Sequence, residues 1–205
     1  MAARLTRILV FAREPAAGKA KTRLIPALGV EGAARLARVM LGHALMEAAA
    51  ASVGPVELVG DPHPDTWAQH AKGVVTSAQV GANLGERMGE AIERALAEGG
   101  RAVVTGTDCP GLDAARIIEA VSALDTHDVV IIPATDGGYV LIGFARFDRS
   151  VFANVEWGRE TVLAATLANF EALGWSVWQG EPLADIDQPD DLKHVPATWL
   201  VDGER

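Results

Sequence analysis

Four cations, Arg13, Lys19, Lys21 and Arg23, fall within residues 12–24 of a chain whose net charge is -9. They directly follow the apolar run Ile8-Leu9-Val10-Phe11, and Pro15 and Gly18 make the stretch a loop. Such a loop offers what a phosphate needs: backbone N–H donors, a forked guanidinium and a compact ammonium. Arg13, Gly18, Lys19, Lys21 and Arg23 are therefore the expected phosphate contacts, and Lys21 and Arg23 are also assigned to catalysis. The plain alternative is a solvated basic loop. Two familiar phosphate loops are excluded. Ala20 follows Gly18-Lys19 where a P-loop needs Ser or Thr, and no Gly-x-Gly-x-x-Gly follows a strand.

Acids occupy the later loops. Asp108 follows the apolar run Ala102–Gly106, and Pro110 stops that strand from continuing. A carboxylate beyond a strand end can hold Mg²⁺ or Mn²⁺ against phosphate oxygens, with Thr107 beside it at the nucleotide; the competing reading is a helix cap, a role that Asp113 fills better. In Asp136-Gly137-Gly138-Tyr139 the glycines allow close backbone approach. Asp136 can accept from a hydroxyl or act as base, and Gly137, Gly138 and Tyr139 are placed against a sugar or acceptor. A Gly-Gly hairpin cornered by Asp136 is the alternative. Asp185 and Asp187 flank Ile186 and share one side of an extended segment. Either completes a metal site opposite Asp108, with Asp187 preferred. Gln79 can read a nucleobase or cap a helix, and Trp157 can be an aromatic platform or core. The histidines have no ligand spacing, so zinc is not expected, and Cys109 lacks a histidine partner and reads as a buried small residue.

Strand-length apolar runs alternate with helical patterns. Strands are expected near 8–11, 56–59, 74–76, 102–106, 129–133, 139–144 and 175–178, and helices near 32–51, 84–98, 113–124 and 161–173; Pro189 with Asp190 and Asp191 looks like a helix start. Continuous apolar strands separated by helices imply a three-layer α/β/α sandwich with a mostly parallel sheet. Ligands of such sheets sit beyond the carboxyl ends of the strands. The 205 residues suit one domain over 1–205, and 49% hydrophobic residues are ample for its core. The acidic balance argues against a nucleic-acid partner. The single cysteine, the lack of a cleavage site after Met1 and the lack of an eighteen-residue apolar stretch lead to an expectation of a cytoplasmic protein without a membrane partner.

Taken in order, Lys21-Thr22-Arg23-Leu24, Leu84-Gly85-Glu86-Arg87-Met88, Gly106-Thr107-Asp108-Cys109-Pro110, Asp136-Gly137-Gly138-Tyr139 and Asp185-Ile186-Asp187 resemble one bacterial family. It is the glycosyltransferase-A-like group described as radical-SAM/selenodomain-associated transferases, some of them named arsenosugar-biosynthesis glycosyltransferases. The likeness covers nearly the whole chain and extends distantly to molybdenum-cofactor and phospholactate guanylyltransferases. It implies a nucleotide-diphospho-sugar transferase fold, with metal on Asp108 and an acid of Asp185-Ile186-Asp187. Where the pattern usually has an acid before Leu-Gly, this chain has Ala82-Asn83. The expected reaction is glycosyl transfer from a nucleotide sugar to a small-molecule acceptor. Nucleotidyl transfer from a nucleoside triphosphate to a phosphorylated acceptor is the second expectation, and a non-catalytic nucleotide-binding module the third.

Overall fold

The computed structural model describes residues 5–61, 67 and 70–200, so Met1 and His63 lie outside the described residues. Among these, seven strands form one sheet: β1 (Thr6–Arg13), β2 (Val56–Asp61), β3 (Val75–Ala78), β4 (Arg101–Thr105), β5 (Val129–Pro133), β6 (Tyr139–Phe144) and β7 (Val177–Gln179). Their order is β3-β2-β1-β4-β6-β5-β7. Every pairing is parallel except those of β6, which runs antiparallel to both β4 and β5. The reversal follows from chain length. Only residues 134–138 join β5 to β6, too few for the dozen-residue crossover that a parallel partner requires. The start of β6 therefore lies at the same sheet edge as the carboxyl ends of β1, β4 and β5.

Alternation along the strands sorts the core into two layers. Ile8, Val10 and Ala12 of β1 pack with Leu41 and Leu45 of α1 (Ile25–Ala50) and with Ile117 and Val121 of α3 (Ala114–Ala123). Leu9 and Phe11 point the other way, toward Met88 and Ile92 of α2 (Leu84–Ala97) and Phe170 of α4 (Val162–Ala172). Both faces of β1 are thus dry over Ile8 to Ala12, which is why that run is apolar without a gap. Among the described residues no helix is long and apolar enough to cross a membrane.

A smaller third cluster joins Leu24, Leu36, Met40, Ile186 and Val195. Leu24 and Ile186 are both fully buried, so residues 162 positions apart in the chain share one apolar contact region just outside the sheet. The backbone adds to the tie. Ile186 N–H donates to Asp108 O at 2.8 Å, Leu183 N–H to Pro133 O at 3.0 Å and Thr135 N–H to Leu183 O at 3.0 Å. Residues 183–187 are in this way laid across the ends of β4 and β5.

Several boundaries differ from expectation. α1 begins at Ile25 rather than near residue 32, because Pro26 suits a first helical turn and Gly29 (φ 72°, ψ 168°) absorbs a break in the helix. The Pro189 start becomes a 3-10 turn, Pro189–His194, with Asp191 accepting from the Asp187 and Gln188 N–H groups. A short helix α5 (Ala197–Leu200) follows it.

Gly143 sets how closely β6 sits between its neighbours. A Cβ there would come within 2.8 Å of both Val103 Cγ2 and Val130 Cγ2. Gly143→Ala is expected to destabilise the fold by about 1–3 kcal/mol through overpacking, read as a lowered urea midpoint with unchanged slope. An unchanged midpoint would mean that the strands have room to spare.

Candidate active site

Three segments converge at the carboxyl edge of the sheet. The loop after β1 carries Lys21 in a left-handed conformation (φ 46°, ψ 44°), immediately before a 3-10 turn, Thr22–Leu24. That backbone state costs a non-glycine residue about 1 kcal/mol; here it drops Leu24 into the third cluster while turning the lysine side chain toward β4. The Lys21 ammonium meets Asp108 Oδ2 at 2.9 Å and Asp187 Oδ1 at 3.0 Å, and donates to Ile186 O at 2.5 Å. The Asp108 and Asp187 oxygens consequently lie no farther apart than the sum of the two ion-pair distances. What these two carboxylates flank is the ammonium of Lys21, a side chain of the protein.

The charge balance suits that arrangement. The Lys21 side chain is 9% exposed, whereas those of Asp108 and Asp187 are 47% and 45% exposed. Burial is the largest single influence on the ammonium and pulls its pKa down. The two carboxylates together outweigh it and hold the pKa above the ordinary lysine value. Arg23, well exposed, approaches Asp187 Oδ2 at 3.5 Å. Thr107 Oγ1 donates to Asp108 Oδ1 at 3.1 Å. Arg13 is exposed at the end of β1 and Lys19 on the loop that follows it, where Gly18 takes φ 74°.

Asp185 makes no ion pair with Lys21 of the kind that Asp108 and Asp187 make. It is half-buried and neighbours Asp136 and Asp187; burial first, then those two like charges, push its pKa up to about 6 despite Lys21 nearby. Asp136 stands at the corner of the β5–β6 hairpin, where its Oδ1 accepts from Gly138 N–H at 2.9 Å. Gly137 (φ 92°) is pressed onto the segment that enters α4: a Cβ there would lie 2.1 Å from Glu160 O, and Gly137 O accepts from Leu163 N–H of α4 at 2.9 Å. The hairpin is thus fixed in place with Asp136 exposed beside Asp185.

Three expected contacts are used otherwise. The Tyr139 ring packs with the α4-side core and its hydroxyl is buried, which raises its pKa far above the ordinary value. That hydroxyl is not presented to an acceptor. Trp157 packs against Phe152 and Gly85, where a Cβ would meet the indole at 2.7 Å, so the core reading holds for much of that ring. Gln79 Nε2 donates to both Ala12 O and Val59 O at 3.1 Å, and its oxygen accepts from Arg87 at 3.3 Å. Its amide clasps the ends of β1 and β2 instead of facing a base. Asn83 caps α2 through Glu86 N–H at 3.0 Å, and Asp113 caps α3 through Arg116 N–H at 2.9 Å.

The turn carrying Asp108 is held by two residues that sequence reasoning passed over. His43 Nε2 lies 3.0 Å from Pro110 O, and Glu47 accepts from Ala114 N–H at 2.8 Å. Their i,i+4 spacing on α1 was the available signal. Cys109, inside that turn, is only partly buried, yet desolvation pushes its thiol up to about 11, as suits a packed rather than a reactive cysteine.

Among the described residues no three His, Cys, Asp or Glu are grouped to hold a metal ion. The donor chemistry of Asp108 and Asp187 nevertheless fits a hard divalent cation. Mg²⁺ and Mn²⁺ take one or two carboxylates and complete their shell with water and phosphate oxygens, and the Lys21 ammonium marks a position between the acids where positive charge is stable.

Asp185 provides a test of this electrostatic layout. The unfolded chain ionises it near 3.8 and the folded chain near 6, so its ionised form costs stability that builds up between those pH values and stays constant above. Asp185→Asn is expected to raise stability at pH 8 by about 1 kcal/mol, after discounting for solvent screening, and to change nothing below pH 4. Urea melts at the two pH values measure this; a variant less stable at pH 8 would contradict it.

Residues 44–159 match the family described as "Uncharacterized protein conserved in bacteria (DUF2064)". No curated protein matches the chain. Among solved structures, one from Desulfovibrio desulfuricans G20, described as a "putative nucleotide-diphospho-sugar transferase", is 31% identical, with a TM-score of 0.88 over 94% of this chain and 87% of that one. Fold likeness without close sequence similarity extends further. The 4-diphosphocytidyl-2C-methyl-D-erythritol synthase of Anaerococcus prevotii DSM 20548 aligns at TM-score 0.60 and 11% identity over 96% and 98% of the two chains. Rv0371c of Mycobacterium tuberculosis H37Rv, solved in complex with manganese, aligns at 0.56 and 15% over 94% and 97%. With more than half its length on the family model and a 31% identical relative matched across nearly all of it, the chain belongs to the DUF2064 family.

Proposed function

We propose that this protein is a divalent-metal-assisted transferase acting on a nucleotide diphosphate substrate, with glycosyl transfer from a nucleotide sugar as the first reading. One observation carries it: Lys21, Asp108 and Asp187 meet within hydrogen-bond distance at the carboxyl edge of the sheet, with the exposed Arg23 beside Asp187. That edge is where open α/β sheets take ligands. The sugar-transferase description of the 31% identical relative points the same way.

In this reading Arg13, Lys19 and Arg23 bind the diphosphate, their donors and charge matching its oxygens. Backbone N–H groups near Gly18 take the remaining phosphate contacts. Asp108 and Asp187 hold Mg²⁺ or Mn²⁺, which supplies charge neutralisation at the leaving diphosphate. Asp136, on a hairpin held by α4 and exposed at the same edge, accepts a proton from the acceptor hydroxyl or orients it. Gly137 and Gly138 leave room for the acceptor, a small molecule. Asp185 is then a neighbour of Asp136 rather than a metal ligand.

The second reading is nucleotidyl transfer, favoured by a specific feature: four cations in one loop are more than a diphosphate requires and suit a triphosphate. The fold likeness to a cytidylyl-carrying synthase is in keeping with it. In that case the cationic loop stabilises departing pyrophosphate and Asp136 faces the acceptor.

Incubation with Mn²⁺ and a panel of nucleotide sugars and nucleoside triphosphates separates the readings. Nucleoside diphosphate release is expected, pyrophosphate release would move the assignment to nucleotidyl transfer, and nucleotide binding without either product would leave a binding module. Asp108→Asn is expected to lower turnover by about 100-fold or more and, because Lys21 loses one of its two anions, to lower the melting temperature while circular dichroism still shows a folded chain. Retained turnover would remove Asp108 from the chemistry.

A further inference from the structure

An ammonium has three N–H donors and no others. Those of Lys21 face Asp108, Asp187 and the Ile186 carbonyl, all at 3.0 Å or less. As folded here, Lys21 therefore has no donor left for a phosphate, although it belongs to the loop expected to bind one. A divalent cation bound by Asp108 and Asp187 would bring two positive charges against that ammonium in a poorly solvated corner. Like charges at such separation repel strongly where water is scarce. The two cations compete for the same pair of oxygens.

We propose that Lys21 is a resident competitor of the metal: its ammonium fills the position between Asp108 and Asp187 in the ligand-free protein, and an incoming divalent cation displaces it. The carboxylates are about half exposed while the ammonium is 9% exposed, so the metal can approach from solvent without unpacking the third cluster. Displacement releases all three Lys21 donors on the loop that already holds Arg13, Lys19 and Arg23. The lysine becomes a phosphate ligand only after the metal has taken its place. The free protein meanwhile avoids two facing carboxylates with no counter-charge. This proposal rests on the metal-assisted reading above.

The test is Mn²⁺ binding to the full chain without nucleotide, followed as loss of the free-ion electron paramagnetic resonance signal. Lys21→Met is expected to bind Mn²⁺ about tenfold more tightly than wild type, the size of an ordinary coupling between two sites. Lys21→Gln is measured beside it, because it keeps a donor for the Ile186 carbonyl where Lys21→Met leaves the two acids unscreened; circular dichroism reports whether each is folded. Adding Asp108→Asn to either variant is expected to abolish the gain. Equal or weaker binding by both folded variants would overturn the competition while leaving the metal reading standing. No saturable Mn²⁺ binding by wild type or either variant at millimolar concentration would overturn the metal reading itself, and this proposal with it.

Discussion

One ammonium, that of Lys21, ties together three parts of the chain that the sequence keeps far apart: the loop after β1, the turn after β4 and the segment that crosses the strand ends near residue 186. A nearly buried lysine carries a desolvation cost of several kcal/mol in a dry site, and only close, well-directed anions offset it. Asp108 and Asp187 do so because each keeps about half its surface in water, so their own desolvation is partial. The arrangement is stable as a set and costly in pieces. Removing either acid leaves the lysine underpaired, and removing the lysine leaves two acids facing each other.

Apolar packing acts alongside charge in bringing the set together. Leu24 lies three residues beyond Lys21, and Ile186 one residue before Asp187; both are fully buried in one cluster with Leu36 and Met40 of α1. Fully burying such side chains stabilises by about 1.5–3 kcal/mol each, well above the worth of an exposed ion pair. Because successive residues of an extended segment face opposite ways, burying Ile186 obliges Asp185 and Asp187 to point outward. His43 and Glu47 then hold the Asp108 turn against α1, so the same helix braces both acidic partners of Lys21.

Much of this is readable in the sequence because it rests on short-range periodicity. The unbroken apolar stretch of β1 announces a strand buried on two faces, the polar and glycine-rich residues after β4 announce a strand end, and the Asp185-Ile186-Asp187 alternation announces two outward acids. Directions that depend on tertiary neighbours are not readable. Tyr139 follows two glycines much as a substrate-contacting tyrosine would, yet the register of β6 against β5 sends its ring to the α4 side. Gln79 looks free until the ends of β1 and β2 are seen to need an amide between them. The antiparallel run of β6 is written only in the brevity of residues 134–138. Among the four loop cations, nothing in residue type separates Lys21 from Lys19; the left-handed backbone at Lys21 makes the difference.

The linkage of the three segments at one charged atom is open to direct measurement by a double-mutant cycle on Lys21→Met and Asp187→Asn, with stabilities taken from urea denaturation in the absence of metal. A cooperative set requires the paired substitution to cost less than the sum of its parts, by a coupling of about 1 kcal/mol or more. Additivity within about 0.5 kcal/mol would mean that the two side chains merely lie close, and that the site is assembled by something other than their interaction.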